Sequence, residues 1–375
     1  MSGSLYVVAG EMSGDAHAAG LLESLIRLRP GLEVAGAGGA KMRAVAGERI
    51  RDWVEQAGVM GVVEVLKHYS FFKNSFEEML GEIREMKPDV LLLVDYPGFN
   101  FRFAAAVRRH LPETRIIQYV CPQVWAWKKG RIPKMVELFD EVLCLLPFEP
   151  AIFEGTGLKA TFVGHPLVDE LEAERVSVER DPKVVALMPG SRAPEVEKLF
   201  PMMLETAERL YSQDDSLVFE VPAARPSLRA RMEKMAEKIR LGDALVIRDG
   251  GAHELMQRAA CGVVASGTAT VEAGYYGLPY CLVYKLAWPT YMIAKMVVKI
   301  RFIGLINILA DDAVIEEFIQ SDADPCEVAR TLECFLCQPD EVEALQKRLA
   351  ETVALLGGTG AHERAAGAVN RWFPG

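Results

Sequence analysis

Two series of short, uninterrupted apolar runs, alternating with helical patterns, constrain this chain more than any other feature. The first series reads LYVVAG (5–10), VLLLVDYPG (90–98), RIIQYV (115–120), EVLCLLPF (141–148) and ATFVGHP (160–166). A charged, Pro-containing segment, GHPLVDELEAERVSVERDPK, then reads as a linker. Beyond it come VVALMPGSR (184–192), LVFEVPAA (217–224), ALVIRDG (244–250), ACGVVASGTAT (260–270) and PYCLVYK (279–285). Runs of Val, Leu and Ile without polar alternation are apolar on both faces, the signature of a parallel sheet covered by crossover helices. Two such series predict an α/β chain of two Rossmann-like, doubly wound domains. The 375 residues suit two cores of roughly 150 to 200 residues each. The boundaries read as 1–167, 168–338 and a helical segment, 339–375.

The formal net charge of -10 argues against a general affinity for nucleic acid, so a basic cluster stands out as local. KLAWPTYMIAKMVVKIRFIGLINILA, residues 285–310, carries Lys285, Lys295, Lys299 and Arg301 and no acid. Its basic residues cut it into apolar pieces of nine residues or fewer, short of the about 20 needed to cross a bilayer. On a helical wheel Lys295 and Lys299 share an arc flanked by Trp288, Tyr291 and Phe302, a basic-aromatic face suited to anionic lipid. LKHYSFFKNSF (66–76) mixes Lys67, His68 and Lys73 with Phe71, Phe72 and Phe76, which suits a membrane interface or, equally, a core. Seven cysteines, an odd number in apolar surroundings, and a start lacking a basic region before a long apolar core read as a reduced, cytosolic chain with no signal peptide.

In doubly wound sheets ligands sit outside the carboxyl ends of the strands, so the loops there are the candidates for chemistry. GEMSGD (10–15) has glycines for close approach, Ser13 or Asp15 to cap the following helix, and two carboxylates, Glu11 and Asp15, that suit sugar hydroxyls better than phosphate. VLLLVDYPGFN delivers Asp95 at a strand end beside a turn, where a partly buried carboxylate can serve as general base or simply cap the turn. In LMPGSRAPEVEKLF, Gly190 and Ser191 lead into a helix start that attracts anions, and Arg192 adds a fork of donors, unless it only pairs with Glu195 or Glu197. ASGTATVEAGYYGLP repeats the device with Ser266, Gly267 and Thr268, and Glu272 one turn on can accept both hydroxyls of a ribose. Two phosphate-suited helix starts in one domain point to a nucleotide diphosphate. PQVWAWKKGR (122–131) sets Trp125 and Trp127 before three basic residues, a solvated face or a phosphate contact. The six histidines are scattered and suggest no catalytic set.

VAGEMSGDAHAAGLL, MGVVEVL, KPDVLLLVDYPGFN, YVCPQVWAWKKGR, LPFEPAIFEG, FVGHPLVDE, LMPGSRAPEVE, ASGTATVEA and NILA occur in the order and approximate spacing of bacterial lipid-A-disaccharide synthases, and the chain resembles a full-length member. The resemblance implies the GT-B architecture, two Rossmann-like domains facing a cleft, with the C-terminal helical segment returning to the first. It implies an inverting glycosyltransferase of lipid A (lipopolysaccharide) biosynthesis that joins UDP-2,3-diacylglucosamine to 2,3-diacylglucosamine 1-phosphate (lipid X), giving the β-1,6 disaccharide 1-phosphate and UDP. No metal and no cofactor are implied. By the same resemblance Asp95 is the base, Ser13 and Glu11 lie near the reaction centre, Arg192 binds UDP, Glu272 meets the ribose and Asn307 lies close to the nucleotide. The diacyl substrates imply a cytoplasmic enzyme held peripherally at the inner membrane, with Phe71, Phe72, Lys295 and Lys299 as contacts, and family members that exchange C-terminal regions make a homodimer an option. The chain departs from the family pattern at Ile306, commonly Pro, at Met188, commonly Leu, and at Cys121, often Ser. Other GT-B UDP-sugar transferases and UDP-GlcNAc 2-epimerase-like enzymes are the rival class; some of them carry the acid one residue later, where this chain has Ala273. A non-enzymatic scaffold would need neither Asp95 nor Arg192.

Overall fold

The apolar runs pair into two fully parallel sheets in the computed structural model, which describes residues 3–57, 69–286 and 301–374. In the first, β1 (Gly3–Ala9), β2 (Leu32–Gly38), β3 (Ile50–Asp52), β4 (Val90–Val94), β5 (Arg115–Tyr119), β6 (Glu141–Cys144) and β7 (Lys159–Phe162) lie in the order β3-β2-β1-β4-β5-β6-β7. All five residues of β4 are buried, which is why that strand shows no polar alternation. Along β1 the side chains divide by period two. Leu5, Val7 and Ala9 pack with Leu21, Leu22 and Leu25 of the helix Met12–Leu28, while Tyr6 and Val8 pack on the other face with Met79 and Ile83 of the helix Tyr69–Met86.

In the second sheet, β8 (Asp181–Met188), β9 (Val218–Ala223), β10 (Leu245–Asp249), β11 (Ala259–Ala265), β12 (Tyr280–Tyr284) and β13 (Glu317–Ile319) lie in the order β10-β9-β8-β11-β12-β13. Val185 and Leu187 pack with Leu199, Phe200 and Met203 of the helix Ala193–Gln213 and with Val328 and Leu332 of the helix Pro325–Cys337. Both sheets reverse their winding at one point, between β1 and β4 and between β8 and β11. The loops after those four strands therefore stand where doubly wound sheets hold ligands.

The chain divides into two compact units, Met1–Pro166 with Gly357–Gly375, and Leu167–Leu356. The return to the first unit thus begins at Gly357 and not at Pro339. The helix Pro339–Ala354 stays with the second unit because it buries Leu349 and Val353 there and Gln346 Nε2 donates to the Gly277 carbonyl at 3.0 Å. Beyond Gly357 (φ +83°) the helix Ala361–Asn370 packs on Met12–Leu28. A β-carbon at Gly20 would stand 2.5 Å from the His362 ring, so glycine is what admits the second helix. Arg364 Nε donates to the Val163 carbonyl at 2.8 Å, and Arg29 Nε to Asn370 Oδ1 at 3.1 Å.

Among the described residues no helix is long and apolar enough to cross a membrane. Lys295 and Lys299 lie outside the described residues. Phe71 and Phe72 are half-buried and pack against the first unit's core, Phe72 edge-on to the buried Trp53 with centroids 6.5 Å apart. Their rings therefore serve the core reading of that stretch.

Candidate active site

In the first unit, β1 ends at Ala9 and the helix Met12–Leu28 starts with Glu11 at its N-cap, in extended backbone and without a side-chain cap. Ser13 is exposed in the first turn. Asp15, one of the two residues able to cap this helix, caps another. Its Oδ1 accepts from the Gly39 and Met42 amides at 2.7 and 3.1 Å and its Oδ2 from the Lys41 amide at 3.0 Å, closing the start of the helix Ala40–Ala46. A β-carbon on Gly39 would lie 2.7 Å from Asp15 Oδ2, which accounts for the glycine cluster there.

Asp95 follows β4 with φ +48° and Tyr96 with φ +45°. Two successive non-glycine residues in the left-handed region cost about 1–3 kcal/mol each and persist only where the surroundings hold them. Here the Asp95 amide donates to the Tyr119 carbonyl at 2.9 Å, and the Asp95 carbonyl accepts from Asn100 Nδ2 and, at 3.1 Å, from Gln118 Nε2. Asn100 and Gln118 are both buried. Tyr96 is pinned in turn, its hydroxyl donating to the Ala57 carbonyl at 3.1 Å and its ring edge-on to Trp53 at 6.2 Å. Burial lifts the Asp95 carboxyl above the usual aspartate range, and the Tyr96 amide bonded to it offsets part of the rise. Glu11 is lifted as well, first by burial and then by the charge of Asp95. The two carboxyls share one site, and a proton there is held more tightly than by either group in water.

Near these strand ends Trp125 Nε1 donates to Glu149 Oε1 at 3.2 Å, while Glu149 Oε2 accepts from the Leu145 and Leu146 amides at 3.1 and 3.0 Å. Burial pushes the Glu149 carboxyl up to about 7. Cys121, Cys144 and Glu149 offer ligand atoms within 4.8 Å of one another, but both Glu149 oxygens are committed to clamping this loop. Lys128 stands over the half-exposed Trp127 ring at 3.9 Å, so that basic residue is paired in part with its own loop.

In the second unit the loop after β8 turns at Gly190 (φ +103°), where a β-carbon would meet Glu195 Oε2 at 2.6 Å. Arg192 is the N-cap of Ala193–Gln213, and its exposed guanidinium donates from Nη1 to Glu195 Oε1 at 3.1 Å. The loop after β11 turns at Gly267 (φ +150°) into the helix Thr268–Tyr275, with Thr270 Oγ1 closing back on the Gly267 carbonyl at 2.8 Å. One cavity of about 260 Å³ is lined by Gly190, Ser191, Arg192, Ser266, Gly267, Thr268 and Glu272, with Met188, Pro222 and Met256 supplying apolar wall. Two helix starts, an exposed guanidinium and a carboxylate thus open on one space, an arrangement that can hold two phosphates and a diol.

Asn307 is not among the residues lining that cavity. It is fully buried, Nδ2 donating to the Ile315 carbonyl and Glu317 Oε1, both at 2.9 Å, and Oδ1 accepting from the Val314 and Ile315 amides at 2.9 and 3.0 Å. All four of its side-chain hydrogen bonds go to residues 314 to 317, so any closeness to the nucleotide would come from the loop it folds and not from its amide group. Ile306 beside it is buried against Gly274. The residue that sequence reading missed is His253, whose Nε2 lies 3.3 Å from Glu272 Oε2 and whose Nδ1 lies 2.7 Å from Glu174 Oε2. The available signal was its position: GGAH follows β10, another strand end of the same sheet.

A family model for lipid-A-disaccharide synthetase matches residues 5–370. The lipid-A-disaccharide synthase of Anaeromyxobacter sp. (strain K) is 37% identical over 374 residues, covering 98% of this chain and 96% of its own length. That of Geobacter sulfurreducens is 36% identical over 373 residues, covering 97% and 96%. Among solved structures, S. aureus MnaA with UDP superposes with a TM-score of 0.63 at 12% identity, covering 99% of this chain and 97% of its own. The glycosyltransferase of kitacinnamycin superposes with a TM-score of 0.61 at 16% identity, covering 100% of both. At those identities the two structures speak for the two-domain α/β fold alone.

Proposed function

Because the chain belongs to the lipid-A-disaccharide synthase family, we propose that its donor is UDP-2,3-diacylglucosamine and its acceptor 2,3-diacylglucosamine 1-phosphate. The chain is a glycosyltransferase that forms the lipid A disaccharide. Inverting transfer requires a base to take the acceptor's proton and a stabilised leaving group. We assign the base to Asp95. Its carboxylate takes the proton of the acceptor 6-hydroxyl as the hydroxyl oxygen attacks the anomeric carbon from the face opposite UDP, so the new bond is β-1,6 and the bond to the diphosphate breaks. Burial keeps the proton affinity of Asp95 high, and Ser13, exposed at the first turn, offers a hydroxyl to the sugar.

The donor half rests on one observation: the seven candidate residues from the β8 and β11 loops line one cavity. There Arg192 and the N-terminal amides of two helices would meet the charge that grows on the diphosphate as it leaves, and Glu272 would accept from the ribose hydroxyls. Supplying the two diacyl sugars and measuring UDP release tests the assignment. Release that needs both sugars supports it, and release from the donor alone, or none, overturns it. The epimerase reading is not favoured, since the epimerases that share this fold are 10–13% identical whereas the curated relatives at 34–37% are synthases.

Substrates with two acyl chains reside in a bilayer, so we propose a cytoplasmic enzyme held peripherally at the inner membrane. With Phe71 and Phe72 packed on the core, the contact is assigned to the basic stretch carrying Lys295 and Lys299. Flotation with anionic vesicles should recover the protein, and Lys295→Glu with Lys299→Glu should release it. Unchanged flotation of that double variant would move the contact elsewhere.

A further inference from the structure

Glu272 projects from the second turn of Thr268–Tyr275 into the cavity, and a lone glutamate there must be ordered before it can hold two hydroxyls. The structure supplies an ordering group. His253 stands in the first turn of Ala252–Arg258, after two left-handed glycines, Gly250 (φ +68°) and Gly251 (φ +75°), that bring the chain back over the sheet edge. Its ring lies between two carboxylates, Nε2 toward Glu272 Oε2 at 3.3 Å and Nδ1 toward Glu174 Oε2 at 2.7 Å. Glu174 belongs to the segment just after the helix Leu167–Ala173, and that segment is itself tied down: Gln257 Nε2 donates to the Glu174 carbonyl at 3.1 Å, and the Val176 amide donates to Gln257 Oε1 at 2.8 Å. Glu174, His253 and Glu272 thus form a line anchored at its outer end.

We propose that His253 is a positioning residue for nucleotide recognition: charged, and braced by Glu174, it holds Glu272 by Oε2 and leaves Oε1 to accept from the ribose hydroxyls. The proposal rests on the reading that Glu272 meets the ribose. A neutral imidazole has one donor and cannot serve both carboxylates, whereas the imidazolium has two. The surroundings favour that form. Glu272 first, then Glu174, hold the His253 imidazolium so that its pKa is pushed up to about 9 against the pull of burial. The other charged or titratable groups nearby are Arg175 beside Glu174, Tyr275 and Tyr276 on the Glu272 helix, the Tyr276 ring 5.6 Å from the imidazole, and Glu254 on its own helix.

Calorimetry with UDP and 2′-deoxy-UDP tests this on the whole chain, because their affinity ratio isolates the ribose contact and cancels changes common to both ligands. The wild type should prefer UDP, and Glu272→Gln should abolish most of that preference. His253→Ala should cut the preference about tenfold, the scale of one charge-assisted hydrogen bond, and His253→Gln, which keeps one donor, should restore part of it. A preference untouched in His253→Ala but lost in Glu272→Gln overturns the role of His253 and leaves the ribose assignment standing. A preference untouched in Glu272→Gln overturns both. Should His253→Ala fail to fold, the wild type reads the same contact: its preference for UDP should fall as pH rises through about 9, and a flat ratio across that range overturns the proposal.

Discussion

A β-carbon on Gly10 would stand 2.4 Å from Cδ1 of Tyr96, so the loop that ends β1 and the loop that ends β4 touch with no room for one more atom. Tyr96 is the left-handed neighbour of Asp95, and any shift of its ring is passed to the carboxyl beside it. Gly10→Ala should therefore lower kcat by about tenfold or more, the usual consequence of moving a reacting group by ~1 Å. UDP affinity should stay as it is, because the nucleotide loops belong to the other unit. Steady-state kinetics with UDP calorimetry distinguishes this from general unfolding.

Asp95→Asn removes the assigned base while keeping the shape of the turn. Turnover should fall by about 10²- to 10⁴-fold with UDP binding kept; an active Asp95→Asn enzyme would refute the assignment.

Both Asp95 and Glu11 have carboxyls raised above their ordinary values by burial, Glu11 further by the charge of Asp95. A base works only when ionised, so kcat/KM should rise with pH through a value above that of a solvent-exposed aspartate. Because burial and not Glu11 lifts Asp95, Glu11→Gln should leave that acidic limb in place. A limb that moves with Glu11→Gln would make Glu11 the group that titrates.

Arg192 bonds Glu195 in this structure, at 3.1 Å and with its side chain exposed, a pairing of little worth in water. Its guanidinium is therefore cheaply redirected to a diphosphate. Arg192→Ala should weaken UDP binding by about 10- to 100-fold, and Arg192→Lys should recover only part, since a point charge replaces a fork. Unchanged nucleotide affinity would take Arg192 out of the site.

Asn307→Ala leaves the Ile315 carbonyl, a Glu317 carboxylate oxygen and the Val314 and Ile315 amides without this partner. The cost should be about 2–4 kcal/mol in unfolding free energy, read from denaturant curves, with UDP affinity of the folded protein close to wild type. Loss of UDP affinity without loss of stability would return Asn307 to the nucleotide.

The strands were legible because burial on both faces removes polar alternation, as in β4, and the strand ends then pointed to Asp95, Arg192 and Glu272. What the linear chain does not carry is which helix a side chain serves. Asp15 lies in the first turn of one helix yet caps the next, because Gly38 and Gly39 let the second backbone approach it. Asn307 sits in a motif associated with nucleotide yet spends its four hydrogen bonds on residues 314 to 317. His253 gains its meaning from Glu174 and Glu272, 79 and 19 positions away in the chain, and no local pattern marks such a line. The tail was misread at its start for the same reason: the apolar side of Pro339–Ala354 fits either unit by pattern, and packing decides.

The return of Gly357–Gly375 to the first unit has a consequence for synthesis. Residues Leu167–Leu356 are made in between, which takes roughly 10 to 40 s at the usual 5–20 residues per second. Only at the end of that interval does the nascent second unit hold every described strand and helix of its own core, while the notch at Gly20 waits for His362. A ribosome stalled after Leu356 would hold a finished second unit joined to a first whose helix Met12–Leu28 still shows its outer face to water.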